Sequence, residues 1–166
     1  MKLLLPALAL TLTLPMPSDC FHRSKFEGPV TSYEYCYNAT MAYPLEYYRL
    51  ETTEEGVARL GHSKGENEIT WIKVDQEVFE TVADLIRQYK LYKLKRDYEP
   101  PFEVLDGRSW YLHANNGKDG FSSSGYNAWP PKKLREGIDA VNAYLKSLID
   151  AATPDDIIAT TLHWEH

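Results

Sequence analysis

Positive charge is scarce in this sequence. Lysine and arginine together number 18 against 24 aspartates and glutamates, which gives a formal net charge of −6 and a pI near 5.4. Binding to nucleic acid depends on neutralising phosphates with a basic surface. The composition therefore excludes nucleic acid as the main partner.

Cysteine is also scarce, with Cys20 and Cys36 as the two residues of this type. A structural zinc site takes four ligands, so two distant thiols predict no metal site, and no motif predicts a cofactor. Three states of these cysteines stay open: lipid attachment at Cys20, a Cys20–Cys36 disulfide in an oxidising compartment, or two free thiols. Asp19 stands where a small residue normally precedes a lipidated cysteine.

Long apolar runs are absent after residue 14. The run Leu3–Leu14 follows Lys2 and is too short to span a bilayer, which is typical of a signal peptide, although a buried N-terminal segment is the alternative. We predict a leader over residues 1–19 and one domain over residues 20–166. The protein is then secreted, periplasmic or attached to the cell envelope, and it touches a membrane only through the leader or a lipid anchor.

The region from residue 32 to residue 74 has the pattern of four short strands. Tyr33, Tyr35 and Tyr37 alternate with Glu34 and Cys36, which is the period of a half-buried strand. Three further β-prone runs follow, separated by short turns: Leu45–Glu51, Val57–His62 and Ile69–Val74. Because parallel strands need long crossovers, these turns predict an antiparallel meander.

Two amphipathic helices are predicted. The first follows Asp75, the expected N-cap, and carries apolar residues at helical spacing from Val78 to Tyr89. The second begins near Pro130-Pro131, since proline suits the first helical position. Its buried face is marked by Leu134, Ile138, Val141, Leu145 and Leu148.

A hairpin over residues 106–126 lies between the two helices. Its turn, Asn115–Gly120, is rich in asparagine, glycine and aspartate. The element order β-β-β-β-α-β-β-α predicts an α+β fold: an antiparallel sheet of about six strands, two helices packed on one face, and no reactive cavity between the two layers. The tail Ile157–His166 has no clear period and is expected to pair as an edge strand or to lie loosely.

The last two thirds of the chain carry a resemblance. Val104-Leu105-Asp106-Gly107, Trp110 and the run from Gly125 to Pro130 (GYNAWP) occur in this order. This pattern resembles a family of small bacterial secreted or envelope proteins of unknown function, over about the last two thirds of the chain. The resemblance implies a bacterial source and assigns no activity and no functional residue.

Aromatic side chains are the main candidates for a binding surface, with twelve tyrosines and four tryptophans in the chain. On an uncovered sheet face they would contact a protein, peptide or glycan partner; otherwise they belong to the core. Asn127 either ties a turn or caps the second helix. The candidate binding residues are Tyr33, Tyr35, Tyr37, Trp110, Tyr126, Asn127 and Trp129.

The leading functional prediction is a non-catalytic, secreted or envelope-associated binding domain, with no catalytic residue assigned. A first alternative is a small serine hydrolase that uses one of Ser122–Ser124 with His113 and either Asp106 or Asp119. The run Gly120–Gly125 departs from a nucleophile elbow, which needs a glycine two residues from the serine on each side. A second alternative is an acidic inhibitor or immunity-like protein that neutralises a basic partner.

Overall fold

The fold is taken from a computed structural model, which describes residues 26–39, 44–65, 67–102, 104 and 107–163. The predicted leader, Cys20 and Asp106 lie outside the described residues. No helix in the described part of the chain is both long and apolar enough to cross a membrane.

The described residues form two helices and one eight-stranded sheet. The helices are α1 (Glu77–Tyr89) and α2 (Lys132–Ala151). The strands are β1 (Ser32–Ala39), β2 (Glu46–Thr52), β3 (Ala58–Ser63), β4 (Glu68–Lys73), β5 (Asp97–Tyr98), β6 (Arg108–Asn115), β7 (Gly120–Tyr126) and β8 (Ile157–Leu162). The strand order is β5-β7-β6-β1-β2-β3-β4-β8.

The predicted α+β class, the four-stranded meander and the later hairpin are confirmed. Strands β1 to β4 pair antiparallel in sequence order, and β6 pairs antiparallel with β7 and with β1. The sheet is larger than the predicted six strands, because β5 and β8 extend it at its two edges. It is also not wholly antiparallel, since β5 runs parallel to β7. A two-residue strand such as β5 carries no periodicity, so only its tertiary pairing defines it.

Both helices pack on the same face of the sheet. The side chains of Val82 and Ile86 on α1 and of Ile138 and Val141 on α2 are fully buried in one apolar cluster. The same cluster contains Leu60 from the centre of the sheet. The predicted N-cap of α1, Asp75, is wrong by one residue. The helix begins at Glu77, and its N-cap is Gln76.

A buried hydrogen bond joins the sheet to α2. The hydroxyl of Tyr33 on β1 donates to Oδ1 of Asn142, at 2.9 Å. Both side chains are shielded from solvent, and burial raises the pKa of Tyr33 well above its ordinary value. The phenol therefore stays protonated and donates to the amide oxygen of Asn142, which satisfies a buried polar group.

The hairpin turn is built by asparagine side chains, as its composition predicts. Oδ1 of Asn116 accepts hydrogen bonds from the backbone N–H groups of Lys118 and Asp119. Gly117 adopts a φ of 83°, the left-handed region that glycine enters without a steric penalty. The turn sets the register in which His113 lies opposite Ser122.

Candidate functional site

The sheet face opposite the helices, called the open face below, carries a cavity lined by charged, polar and aromatic side chains. Side chains alternate across a strand, so Tyr33 and Tyr35 face the helices while Glu34 and Cys36 face the other way. A cavity of about 600 Å³ lies on this open face. The sequence-based prediction concerned the space between the sheet and the helices. The cavity described here lies on the other side of the sheet, which the helices leave free.

Glu34 lines the cavity together with two tyrosines. Its Oε1 accepts hydrogen bonds from the hydroxyl of Tyr111 at 2.6 Å and from the hydroxyl of Tyr47 at 2.9 Å. Burial raises the pKa of both phenols, and the nearby negative charge of Glu34 raises it further. Both phenols therefore stay protonated at neutral pH and hold the Glu34 carboxylate in place.

A second carboxylate on the open face is paired with two arginines. Glu51 accepts hydrogen bonds from Nε of Arg49 at 2.7 Å and from Nε of Arg59 at 2.9 Å. The guanidinium of Arg59 also lies over the Trp71 ring, 4.0 Å from its centroid. One ring face of Trp71 is therefore occupied by a cation, and its Nε1 donates to Thr161 on β8 at 2.9 Å.

The negative charges of Glu34 and Glu51 are stabilised by different kinds of partner. The ion pairs found among the described residues include two to Glu51 and none to Glu34. Phenol donors stabilise the charge of Glu34 without neutralising it, whereas the two guanidinium groups more than neutralise Glu51. Arg49 is nevertheless the cross-strand neighbour of Glu34, and the charge of Glu34 is one of the contributions that raise the pKa of Arg49. Glu34 therefore has a cation nearby but no direct ion pair, because Arg49 is bound to Glu51.

His163 lies at the rim of the cavity. Its ring meets Tyr47 edge-on, with 4.9 Å between the ring centroids. Partial burial lowers the pKa of His163, and the charge of Glu34 acts in the opposite direction. Its Nε2 is buried and finds no hydrogen-bond partner within the described part of the chain. The lowered pKa favours the neutral form of the imidazole.

Cys36 is buried on the open face and forms no disulfide with any described residue. Burial raises its pKa to about 12, with a further contribution from Glu34, although its hydrogen bond to Oδ1 of Asn38 lowers it. Since the thiolate is the reactive form, Cys36 is a poor nucleophile at neutral pH. Cys20 lies outside the described residues, so lipid attachment and the disulfide stay predictions.

Three of the predicted binding residues belong to the core. Tyr33, Tyr35 and Trp110 lie on the face that the helices cover, with at most 3% of each residue exposed. Nε1 of Trp110 donates to the carbonyl oxygen of Ala128 at 2.8 Å, and its ring stacks on Trp129 with the centroids 5.5 Å apart. Tyr33, Tyr35 and Trp110 therefore form packing surface and not an open binding surface.

The remaining predicted binding residues lie at one end of the sheet. Tyr37 packs against Trp129 and accepts a hydrogen bond from Arg108. Asn127 has a φ of 48° and its Oδ1 accepts a hydrogen bond from the backbone N–H of Arg108, so it ties the turn after β7 and does not cap α2, whose N-cap is Pro131. Tyr126 is 40% exposed. A binding role for Tyr37, Tyr126, Asn127 and Trp129 stays a prediction.

Of the serines named in the hydrolase alternative, one lies beside the candidate histidine. Nδ1 of His113 and Oγ of Ser122 lie 2.9 Å apart on neighbouring strands. Ser123 instead donates to the carbonyl oxygen of Lys95, and Ser124 donates to Asp97. Only one of the three candidate serines therefore has an observed contact with the imidazole, and the candidate Asp106 lies outside the described residues.

The residues on the open face were not selected by sequence reasoning. The available signal was the alternation itself: Glu34 stands between Tyr33 and Tyr35, and Arg49 and Glu51 occupy alternate positions on the next strand. A charged residue at an alternate strand position usually indicates a solvated face. Only the pairing of β1 with β2 and β6 shows that Glu34, Tyr47 and Tyr111 meet.

Comparisons with known proteins do not assign this chain to a family. No model of a known protein family matches it, and no curated protein does either. The resemblance noted in the sequence, with its bacterial source, therefore stays a prediction, and function is argued from the site alone.

Proposed function

We propose that this chain is a non-catalytic binding domain whose open face receives a positively charged side chain of a protein or peptide partner. The observation that carries the proposal is Glu34, a carboxylate that lines the cavity, is held by two phenol donors and has no ion pair among the described residues. A lysine or arginine side chain of the partner would form the direct ion pair that Arg49, which lies opposite Glu34 but is bound to Glu51, does not form. The secreted or envelope location proposed for this domain is supported by the leader-like pattern of residues 2–14.

The aromatic surroundings of Glu34 suit the same ligand chemistry. Tyr111 is 37% exposed and borders the cavity, so a cation approaching Glu34 meets the face or edge of a phenol ring. Cations are attracted to the faces of aromatic rings, and the attraction grows as water is excluded. A glycan partner has less support, because the Trp71 ring on which a sugar would stack is covered by Arg59.

The protonation states on the open face favour binding over catalysis. A general acid or base works best with a pKa near the operating pH. The Cys36 thiol has its pKa raised to about 12, and the pKa values of Tyr47 and Tyr111 are raised as well. The pKa of His163 is lowered, and its Nε2 is buried. Cys36, Tyr47 and Tyr111 therefore stay protonated at neutral pH, and the lowered pKa of His163 favours its neutral form.

A test of the proposal uses the charge of Glu34. The probe is the peptide acetyl-Gly-Arg-Gly-amide, titrated against the full chain by NMR, with the citrulline peptide as its neutral isostere. We expect the arginine peptide to shift the backbone signals around Glu34, Tyr47 and Tyr111, and the citrulline peptide to bind at least about tenfold more weakly. Glu34→Gln should weaken arginine-peptide binding by a similar factor, about 1.4 kcal/mol.

The matched control is Glu54→Gln, which removes one negative charge from an exposed turn and leaves the cavity intact. This variant should bind the arginine peptide as the unmodified chain does. Equal binding of the arginine and citrulline peptides, or unchanged binding by Glu34→Gln, would rule out the proposed site. Unchanged thermal unfolding of both variants would show that the comparison concerns folded protein.

The acidic-inhibitor alternative receives little support from the open face. Glu34 and Glu51 are offset there by Arg49 and Arg59, so these four groups have no net charge. A contiguous acidic patch, which that alternative needs, is not what this cavity presents. A basic partner would instead be recognised locally, at Glu34.

A second candidate function is the serine hydrolase, and it has one specific observation in its favour, the 2.9 Å contact between His113 and Ser122. A fluorophosphonate probe, which labels activated serines, tests it directly. The binding proposal predicts no labelling. Stoichiometric labelling that is lost in Ser122→Ala and kept in Ser124→Ala would establish the hydrolase instead, since Ser124 contacts Asp97 and not the imidazole.

A further inference from the structure

The two phenols that hold Glu34 use the same carboxylate oxygen. The hydroxyl groups of Tyr47 and Tyr111 both donate to Oε1, at 2.9 Å and 2.6 Å. A carboxylate has about four lone-pair sites for hydrogen bonds, two on each oxygen. The two phenols therefore fill Oε1, and Oε2 is the oxygen that they leave to a side chain entering the cavity.

Glu51, which lines the same cavity, receives its partners on both oxygens. Nε of Arg49 donates to Oε2 at 2.7 Å, whereas Arg59 donates to Oε1 through Nε, at 2.9 Å, and through a second guanidinium nitrogen. The open face thus contains two carboxylates of different accessibility. The one that binds guanidinium groups offers both oxygens to them, and the other offers one.

Arg49 has both carboxylates as neighbours on the open face. Glu34 is its cross-strand partner on β1, and Glu51 lies two residues further along β2. Among the ion pairs of the described residues, Arg49 pairs with Glu51 and not with Glu34. The chain's own guanidinium group therefore binds the carboxylate that has both oxygens accessible, although the other carboxylate lies directly opposite.

Arginine and lysine side chains place different demands on a carboxylate. The planar guanidinium group binds best through two parallel N–H donors, one to each oxygen, whereas the lysine ammonium group is a compact charge that can bind through one oxygen. At Glu34 an arginine loses its second hydrogen bond, because Oε1 is filled by the phenols. The cavity of about 600 Å³ has room for either side chain, so the difference lies in the acceptors and not in size.

We propose that the open face selects lysine over arginine as the basic side chain of its partner, and that the hydroxyl groups of Tyr47 and Tyr111 set this preference. The inference rests on the proposed function and narrows it from a basic side chain to one residue type. The partner is then a protein or peptide that presents an accessible lysine. The specificity belongs to the phenols, while the attraction itself belongs to the charge of Glu34.

Competition between two peptides tests the preference. Acetyl-Gly-Lys-Gly-amide and acetyl-Gly-Arg-Gly-amide are titrated against the full chain by NMR, with the norleucine peptide as the uncharged control. We expect the lysine peptide to bind about fivefold more tightly than the arginine peptide, the effect of roughly one hydrogen bond. Arginine binding that is equal or tighter, yet still weakened by Glu34→Gln, would overturn the lysine preference and leave the proposed function standing. Failure of both peptides to bind would overturn both.

Removing one phenol hydroxyl tests the cause of the preference. Tyr47→Phe keeps the ring and frees a lone-pair site on Oε1, so the lysine preference should fall below about twofold, chiefly through tighter arginine binding. Tyr111→Phe repeats the test at a residue that is 37% exposed, where the fold is not at stake. The matched control is Tyr48→Phe, which removes a phenol that faces the helices and donates to Glu46 at 2.8 Å. A preference that both cavity variants leave unchanged, or that Tyr48→Phe reduces equally, would show that these phenols do not set it.

Discussion

Replacing Trp110 by alanine is expected to lower the free energy of unfolding by about 3–5 kcal/mol, the range for deleting a buried tryptophan. Trp110 is 2% exposed and stacks on Trp129, and its indole N–H donates to the carbonyl oxygen of Ala128. The substitution leaves a cavity and an unsatisfied carbonyl group. Denaturant unfolding followed by circular dichroism measures the change, with the m-value checking that the unfolding reaction is the same.

Tyr126→Ala is the control for this prediction. Tyr126 was selected from the sequence for the same reason as Trp110, yet it is 40% exposed and its hydroxyl makes only a long contact, 3.4 Å, with the carbonyl oxygen of Val104. We expect its removal to cost less than about 1 kcal/mol, as for most surface substitutions. A loss of stability as large as that of Trp110→Ala would contradict the assignment of Trp110 to the core and Tyr126 to the surface.

Gly125→Ala is the second substitution with a large expected effect, a loss of about 2–4 kcal/mol from overpacking and a broken hydrogen bond. A Cβ atom on Gly125 would lie 2.3 Å from Nε1 of Trp110 and 2.4 Å from the carbonyl oxygen of Ala128. These are the two atoms that form the hydrogen bond, so an added methyl group separates them. Thermal and denaturant unfolding give the size of the loss.

Gly120→Ala provides the comparison on the same strand. A Cβ atom on Gly120 would come within 3.3 Å of the carbonyl oxygen of Ala114, a contact that a small backbone adjustment relieves. Neither glycine has a positive φ, so the two substitutions differ in steric contact and not in backbone strain. We expect Gly120→Ala to cost less than about 1 kcal/mol; similar losses at both positions would disprove the steric explanation.

The elements that could be predicted have strong local signals. The alternation around Tyr33 and Tyr35, the helical spacing from Val78 onward, and the asparagine-rich turn each define a structure through neighbouring residues alone. The strands β5 and β8 have no such signal. β5 is too short to show a periodic pattern, and β8 (IIATTL) has no charged residue that would mark an exposed face. Only the three-dimensional structure therefore shows that β5 pairs with β7 and β8 with β4.

The candidate site was missed for a related reason. The sequence analysis selected the conspicuous aromatic residues, and the helices cover Tyr33, Tyr35 and Trp110. The alternation that exposes Glu34 was visible, but the alternation alone could not say which of the two faces would be covered. The convergence of Tyr47 and Tyr111 on one oxygen of Glu34 joins three strands and depends on their register.

The sequence by itself determined the α+β class, the meander, the hairpin and both helices, because short-range periodicity and turn chemistry set these elements. Only the tertiary structure decided which sheet face stays open, which carboxylate is held by phenols and not by an ion pair, and which strands form the edges of the sheet. Those three properties arise from contacts between residues far apart in the chain, such as Glu34 with Tyr111 and Trp71 with Thr161. Local sequence patterns carry no information about such contacts, since they depend on how the strands are ordered.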